Sequence, residues 1–467
     1  MRTPSALLFS VPLILLVGCG DNGDGEPLPS GTDTSFFADL GPTGGDAGTI
    51  TDMGATSTDA GADAGTSDLG PVDAGAIDPV AEPYRTVRSS GLPAERMDIV
   101  VVGDGYTVDE LGTAYARDVS RLTSWMFGRQ SLGASEPFYY LRNLFNVHRV
   151  HLASAASGID DSAAGVMVDT ALDGTDNCAG LGSVCYVDTA KALTAVTTAL
   201  EGASIVPDLI VVVLNSDKTI EHASITTDGR FAVYAGGGAS GNPDQVGDRG
   251  LRQLARALAG LAQNDTGTGA YSGTEPLEAN LTASSTGAKW SAWIGDDFAN
   301  DMQSAVSAYE GGGGYATGVY RPVSSSKLTG ELEAPFDPVA REAIVQAVFS
   351  VVPAIVSHTA AGSVLTDPEV IDATTASASL VTLSWYVDGM AATSQGTAVT
   401  GDRFGFKGWA QSEGLAAGVY TVEARPSVTT TFRFPNCRRC RSATIPLVKT
   451  VTPEMTTGVT WQVELTQ

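Results

Sequence analysis

Positive charge is scarce in this 467-residue chain: 27 Lys and Arg stand against 53 Asp and Glu, a formal net charge of −26. No basic patch stands out, which argues against a nucleic-acid partner. A long apolar run is also lacking. The stretch 7–17 near the N-terminus is too short to cross a bilayer as a mature helix. Five cysteines and four histidines leave few residues for chemistry that needs a thiolate or an imidazole.

What is present divides the chain by composition. Residues 1–18 join Arg2 to the apolar run and end in Leu16-Val17-Gly18, the pattern of a secretory signal. The small-residue ending just before Cys19 resembles the lipobox of bacterial lipoproteins. That resemblance implies an exported protein whose mature N-terminus, Cys19, carries lipid. It would then be anchored to the cell envelope, at the outer membrane or cell surface. Residues 19–84 read as an acidic, flexible tether. From 20 to 84 there is no Lys or Arg and there are 13 acidic residues, half of the net charge, with repeats such as Asp59-Ala60-Gly61 and Asp73-Ala74-Gly75. Such a segment cannot bury enough apolar surface to offset the entropy of ordering, and self-repulsion extends it.

The region 85–357 carries α/β signals. Residues 98–102 form a short apolar run closed by Gly103-Asp104-Gly105, a buried strand and a tight turn. The turn lacks the third glycine or the Lys-Ser of a phosphate loop. Thr107 with Glu110 fits a capping box, and Val108, Leu111, Tyr115, Val119, Leu122 and Trp125 continue at helical steps for about five turns. Residues 145–152 read as a strand holding His148 and His151. Three positions apart, they point to opposite faces and cannot share one ion, so one is expected inside and one outside. A helix is expected over 187–200 and a central, fully buried strand over 209–214. Residues 217–229 read as a loop in which His222 is solvated beside Glu221, or else serves as a relocated ligand with Asp228 or Asp244. Residues 250–265 (GLRQLARALAGLAQND) place Leu251, Leu254, Leu258 and Leu261 on one helical face, a buried helix.

Taken in order, 97–107 (MDIVVVGDGYT), 136–161, 208–216, 231–237 and this helix resemble the IgA-cleaving family of bacterial zinc metallopeptidases, a likeness that extends across 85–465. It implies a zincin-like α/β unit with a mixed sheet and helices. In that family the helix reads H-E-x-G-H and is followed by Leu-Ala-Asp-Glu-Tyr. Here the matching residues are Arg252, Gln253, Leu254, Ala255 and Arg256, then Leu261, Ala262, Gln263, Asn264 and Asp265. Arginine has no acceptor lone pair to offer zinc, and Gln253 cannot take a proton from a metal-bound water. No catalytic residue and no zinc cofactor are therefore expected. Arg252 and Arg256 instead put fixed positive charge where zinc stood and become possible binding residues. Asp248, Asp265 or a partner's carboxylate would pair with them, unless both arginines simply face solvent. Residues 289–294 and 309–322 continue the resemblance. Ser326, Asp337 and Ala340 stand where family members tend to carry cysteines, and Asp337-Pro338 opens a last helix through Val351.

Residues 358–467 change to β-runs. Residues 380–387 with Trp385, the Asp388-Gly389 hairpin signal, and the alternating 419–424 and 460–465 fit a small all-β immunoglobulin-like sandwich. Setting Cys19 aside, Cys178 with Cys185 and Cys437 with Cys440 make two local disulfides in an exported protein. A redox role for the last pair would need a helix-opening βαβ context, and a structural zinc would need two more ligands. Three function classes follow. The first is a non-catalytic envelope module that binds or scaffolds a protein or peptide. The second is an active zinc peptidase with relocated ligands. The third is a surface adhesin that uses the β-domain.

Overall fold

The computed structural model describes residues 77–128, 134–176, 186–227, 229–237, 242–296, 304–331, 333–432 and 445–466. All of them fall in one compact unit, Gly70–Gln467. Cys19, Cys178, Cys185, Cys437, Cys440 and Asp228 lie outside the described residues, and with them the expected lipid anchor and both disulfides. The described fold includes part of the expected tether: Ile77 is buried in the main core and Tyr84 opens the first strand.

A six-stranded sheet forms the frame. Its strands are β1 (Tyr84–Arg88), β2 (Met97–Asp104), β3 (Phe145–Val150), β4 (Leu209–Leu214), β5 (Glu221–Thr226) and β6 (Gly229–Ala235), in the spatial order β1-β3-β2-β4-β6-β5. The inner four run parallel, and β1 and β5 close the two edges antiparallel, so the sheet is mixed. β2 (MDIVVVGD) and β4 (LIVVVL) are buried at every position around a β-branched, apolar centre, the pattern of strands covered on both faces. Alternate residues feed two cores. Ile99, Val101, Val211, Val213 and Tyr234 face one side. Val100, Val102, Ile210, Val212 and Val233 face the other.

Helices cover both sides. α1 (Ala116–Phe127) is entered through a 3-10 turn, Val108–Glu110, and a π-helical turn, Leu111–Tyr115, so the expected five-turn helix is regular only in its second part. The capping box forms, with Thr107 N donating to Glu110 Oε2 at 2.8 Å. A short α2 (Phe138–Leu141) precedes β3. α3 (Thr189–Ala199), capped by Asp188, buries Ala192 and Val196 in the second core. α4 (Pro243–Ala259) lies on the first core together with α1.

The helix expected over 250–265 is displaced: it begins seven residues earlier and ends at Ala259. Asn242 caps it by accepting from Asp244 N at 3.0 Å, with Pro243 at the first position. Gly260, at φ 60°, ends it in the left-handed conformation that glycine adopts without a Cβ penalty. Gly250, read as the start of the helix, is interior to it. A Cβ there would sit 2.9 Å from Leu122 Cδ1 and from Tyr234 Cζ, and one on Gly247 would sit 2.6 Å from Trp125 Cβ. These glycines let α4 approach α1 and β6, at the cost of helix propensity.

Beyond α4 come a hairpin of β7 (Tyr309–Gly312) and β8 (Tyr315–Arg321) and then α5 (Pro338–Val351). α5 spans the expected residues, with Asp337 Oδ1 accepting from Ala340 N at 2.9 Å. The C-terminal strands form two main sheets. One runs in the order Leu365–Thr366, Val459–Leu465, Gly418–Val428, Val381–Val387 and Met390–Ala391. The other contains Arg403–Phe404, Ile371–Thr375 and Ile355–His358. Both contribute to a core in which Trp385 stacks on Phe404 and Trp461, with ring centroids 5.2 and 5.7 Å away. This part is not a detached module: Leu380, Val381, Val428, Leu447, Val448 and Met455 belong to the main core. Glu342 of α5 accepts from Trp293 Nε1 at 2.6 Å, Lys449 N at 2.8 Å and Thr450 N at 2.6 Å.

Candidate functional site

α4 runs beside β5, and its buried face carries Arg252, Gln253 and Arg256. Arg252 is only 5% exposed. Its Nη2 makes an ion pair with Glu221 Oε1 at the start of β5, and its Nη1 donates to Lys327 O at 3.4 Å. Gln253 is fully buried, and its Oε1 accepts from Arg256 Nη1 at 2.7 Å. Arg256, partly buried, also donates from Nε to Leu261 O at 3.4 Å. Burial works against its charge, lowering the guanidinium from its usual range.

A second ion pair lies beside the first. Lys327 Nζ meets Asp248 Oδ1, and neither side chain is exposed. The ammonium sits 6.0 Å from the Trp125 ring centroid and 5.5 Å from that of Phe336. Burial pushes its pKa down, against the pull of Asp248.

These pairs correct two expectations. Neither Asp248 nor Asp265 pairs with the arginines, since Asp248 serves Lys327 and Asp265 is exposed. Nor does Arg252 point to solvent, because Glu221 neutralises it within the fold. Sequence reasoning missed Glu221 because 217–229 was read as a loop. The segment is instead a hairpin in which β5 pairs antiparallel with β6. The alternation in EHASIT was the available signal: Glu221, Ala223 and Ile225 share one face, and His222, Ser224 and Thr226 the other. Nothing local marks Lys327, which a capping box from Ser326 to Thr329 carries into the core.

The remaining motif positions are structural. Gln263 accepts through its backbone from Gly313 N at 2.9 Å. Asn264 is buried, donating its N–H to Leu328 O at 2.7 Å and accepting from Asn280 Nδ2 at 2.8 Å. Ser326 Oγ lies 3.5 Å from Asp337 Oδ2, so a polar contact occupies this part of the chain.

The histidines do not converge on a metal. His222 is on β5, not in a loop, and is half-buried rather than solvated. Its cross-strand partner is Val233 of the second core, whereas that of Glu221 is Tyr234 of the first, so the two side chains leave β5 on opposite faces. Asp244 is exposed in the first turn of α4, two turns from Arg252. His148 and His151 are both buried, contrary to the one-in, one-out expectation, because the sheet is covered on both faces and the chain folds over its edge. They bind different partners. His148 contacts Asp98 Oδ1 at 3.2 Å and Thr86 Oγ1 at 3.0 Å. His151 pairs with Glu82 O at 2.7 Å and accepts from Arg149 Nε at 3.1 Å. Among the described residues, no three His, Cys, Asp or Glu side chains gather as a metal would require.

Burial lowers the pKa of both His151 and His222, with the Arg256 charge adding to the effect at His222. The unfolded chain then binds protons more tightly than the fold below the usual histidine value of about 6.5. Stability should therefore be fully present above that pH and fall as pH drops toward the lower folded values. Urea midpoints measured between pH 7.5 and 5 should decline, and His222→Gln should flatten part of the slope. An unchanged slope would rule out the His222 contribution.

Zinc, which the resemblance implies, does not suit these residues. Two guanidinium groups and an amide occupy the helix positions, and the carboxylate beside them is already ion-paired to one of the guanidiniums. The unit has a mixed α/β frame in which a helix lies beside an antiparallel edge strand, with guanidinium and amide groups at the helix positions. A search of curated proteins finds no match. The family model described as IgA Peptidase M64 matches residues 86–300, a narrower span than 85–465, and the match supports an IgA-peptidase-like metallopeptidase relation for that segment.

Proposed function

We propose that this protein is an exported lipoprotein, anchored through Cys19 to the cell envelope, whose folded part binds a peptide or protein segment without hydrolysing it. The observation that carries this reading is the ion pair of Arg252 with Glu221, buried where the family places its first zinc ligand. A permanently charged guanidinium cannot ligate zinc, and Gln253 cannot act as the general base. The peptide-binding element is β5. Its outer edge pairs with no strand among the described residues, so its backbone N–H and C=O groups can take an added strand. The C-terminal sheets, read as an immunoglobulin-like sandwich, brace this unit through the shared core.

Elemental analysis of the full chain, purified without a His-tag and dialysed against zinc and then buffer, tests the absence of a catalytic metal. Less than a tenth of an equivalent of zinc is expected. One tightly held zinc per chain, lost together with a chelator-sensitive peptidase activity, would overturn the reading.

A further inference from the structure

Arg249, Arg252 and Arg256 recur at steps of three and four and share one face of α4 beside β5. Only Arg252 is neutralised by contact. Arg249 reaches Gln245 Oε1 at 3.5 Å, and Arg256 bonds Gln253 Oε1 and Leu261 O; neither has a carboxylate within ion-pair distance among the described residues. The acids that act on them do so without contact: Glu221 and Asp248 on Arg249, and Glu221, Asp265 and Glu278 on Arg256. Glu221 and Asp248 are each committed to another cation. Two guanidinium groups are thus left over on one face of a chain whose formal charge is −26. Behind them, the fully buried Gln253 fixes Arg256 through its Oε1 while its Nε2 has no partner among the described residues. Beside them on β5, Ile225 is 49% exposed on the same strand face as Glu221, an apolar contact next to the charged stripe.

We infer that the arginine stripe of α4 beside the open edge of β5 is a carboxylate-binding site for an extended peptide, with Arg256 and Arg249 as the anchoring cations. The inference rests on the peptide-binding reading given above and adds the chemistry of the ligand. A strand added along β5 supplies backbone hydrogen bonds, and its carboxylate meets a guanidinium that presents paired donors in a plane. The carboxylate can come from a peptide C-terminus or from an Asp or Glu side chain.

Fluorescence anisotropy of the full chain with three labelled pools of decapeptides separates these sources. Each pool is randomised over Ala, Ser, Thr, Val, Leu and Gln. One is amidated, one has a free C-terminal carboxylate, and one is amidated with Glu at half its positions. At least one carboxylate pool should bind tenfold or more tightly than the amidated neutral pool. Arg256→Ala should remove that difference, Arg249→Gln should reduce it severalfold, and Arg256→Lys should restore part of it. Because Arg256 is largely packed, Arg249→Gln serves as the variant that keeps the fold. Equal binding of all three pools would overturn the carboxylate inference and leave peptide binding standing. Binding of none would remove the peptide-binding reading itself.

Discussion

Lys327→Met in the full chain should lower stability by about 3–5 kcal/mol, the usual cost of stripping one partner from a buried ion pair. Neither Lys327 nor Asp248 is exposed, so water cannot re-solvate the orphaned carboxylate. Its second oxygen has no hydrogen-bond partner among the described residues to share the charge. Asp248→Leu alone should cost a comparable amount by leaving the ammonium between Trp125 and Phe336. The double variant Lys327→Met/Asp248→Leu should regain most of the loss, because two apolar side chains suit the surrounding core. Urea denaturation of the four proteins closes the double-mutant cycle. A single-variant loss below about 1 kcal/mol would mean that the pair is not held away from solvent. The pair ties α4 to the 326–330 segment and Arg252 ties α4 to β5, so two salt bridges join the elements around the position where the family holds zinc.

Deleting residues 358–467 should leave the N-terminal part unable to fold cooperatively. The expectation runs against a modular reading of the chain and comes from the packing. Leu380, Val381, Val428, Leu447, Val448 and Met455 complete the core that α5 and the central sheet share. At about 1.5–3 kcal/mol for each side chain buried, their removal forfeits on the order of 10 kcal/mol, comparable to the whole stability of a typical domain. Glu342 would also lose its two backbone partners, Lys449 N and Thr450 N. A fragment ending at 357 should show weak near-UV circular dichroism, dye binding typical of exposed apolar surface, and a broad urea transition. A sharp transition with the midpoint of the full chain would show that the C-terminal sheets are dispensable. For the same reason, truncation cannot be used to separate an adhesin-like role of the β-part from a role of the arginine stripe. Point variants can.

How much of this was legible in advance depends on the range of the interaction. β4 over 209–214 and α5 through Val351 could be placed from sequence, because an unbroken β-branched run and an Asp-Pro helix start are local signals acting over a few residues. So could the Thr107–Glu110 capping box. The leucines of α4 gave its buried face correctly but not its ends, since periodicity locates a face while Asn242 and Gly260 set the termini. His148 and His151 were misjudged because alternation along a strand assigns faces, and only the layers above and below decide whether a face is wet.

The sequence by itself determined that Arg252, Gln253 and Arg256 cannot supply the lone pairs and base of the family's zinc chemistry, whatever the fold around them. Only the tertiary structure decided what replaces it. Glu221 lies 31 residues from Arg252, and Lys327 lies 79 residues from Asp248. An ion pair depends on distance in space and on the exclusion of water, and neither leaves a periodic or local trace in the chain. Where folding brings such residues together away from solvent, unpaired charge is too costly to tolerate. Arg252 and Lys327 are matched in this way, whereas Arg249 and Arg256 have no carboxylate within ion-pair distance among the described residues and are the cations the proposed peptide carboxylate would meet.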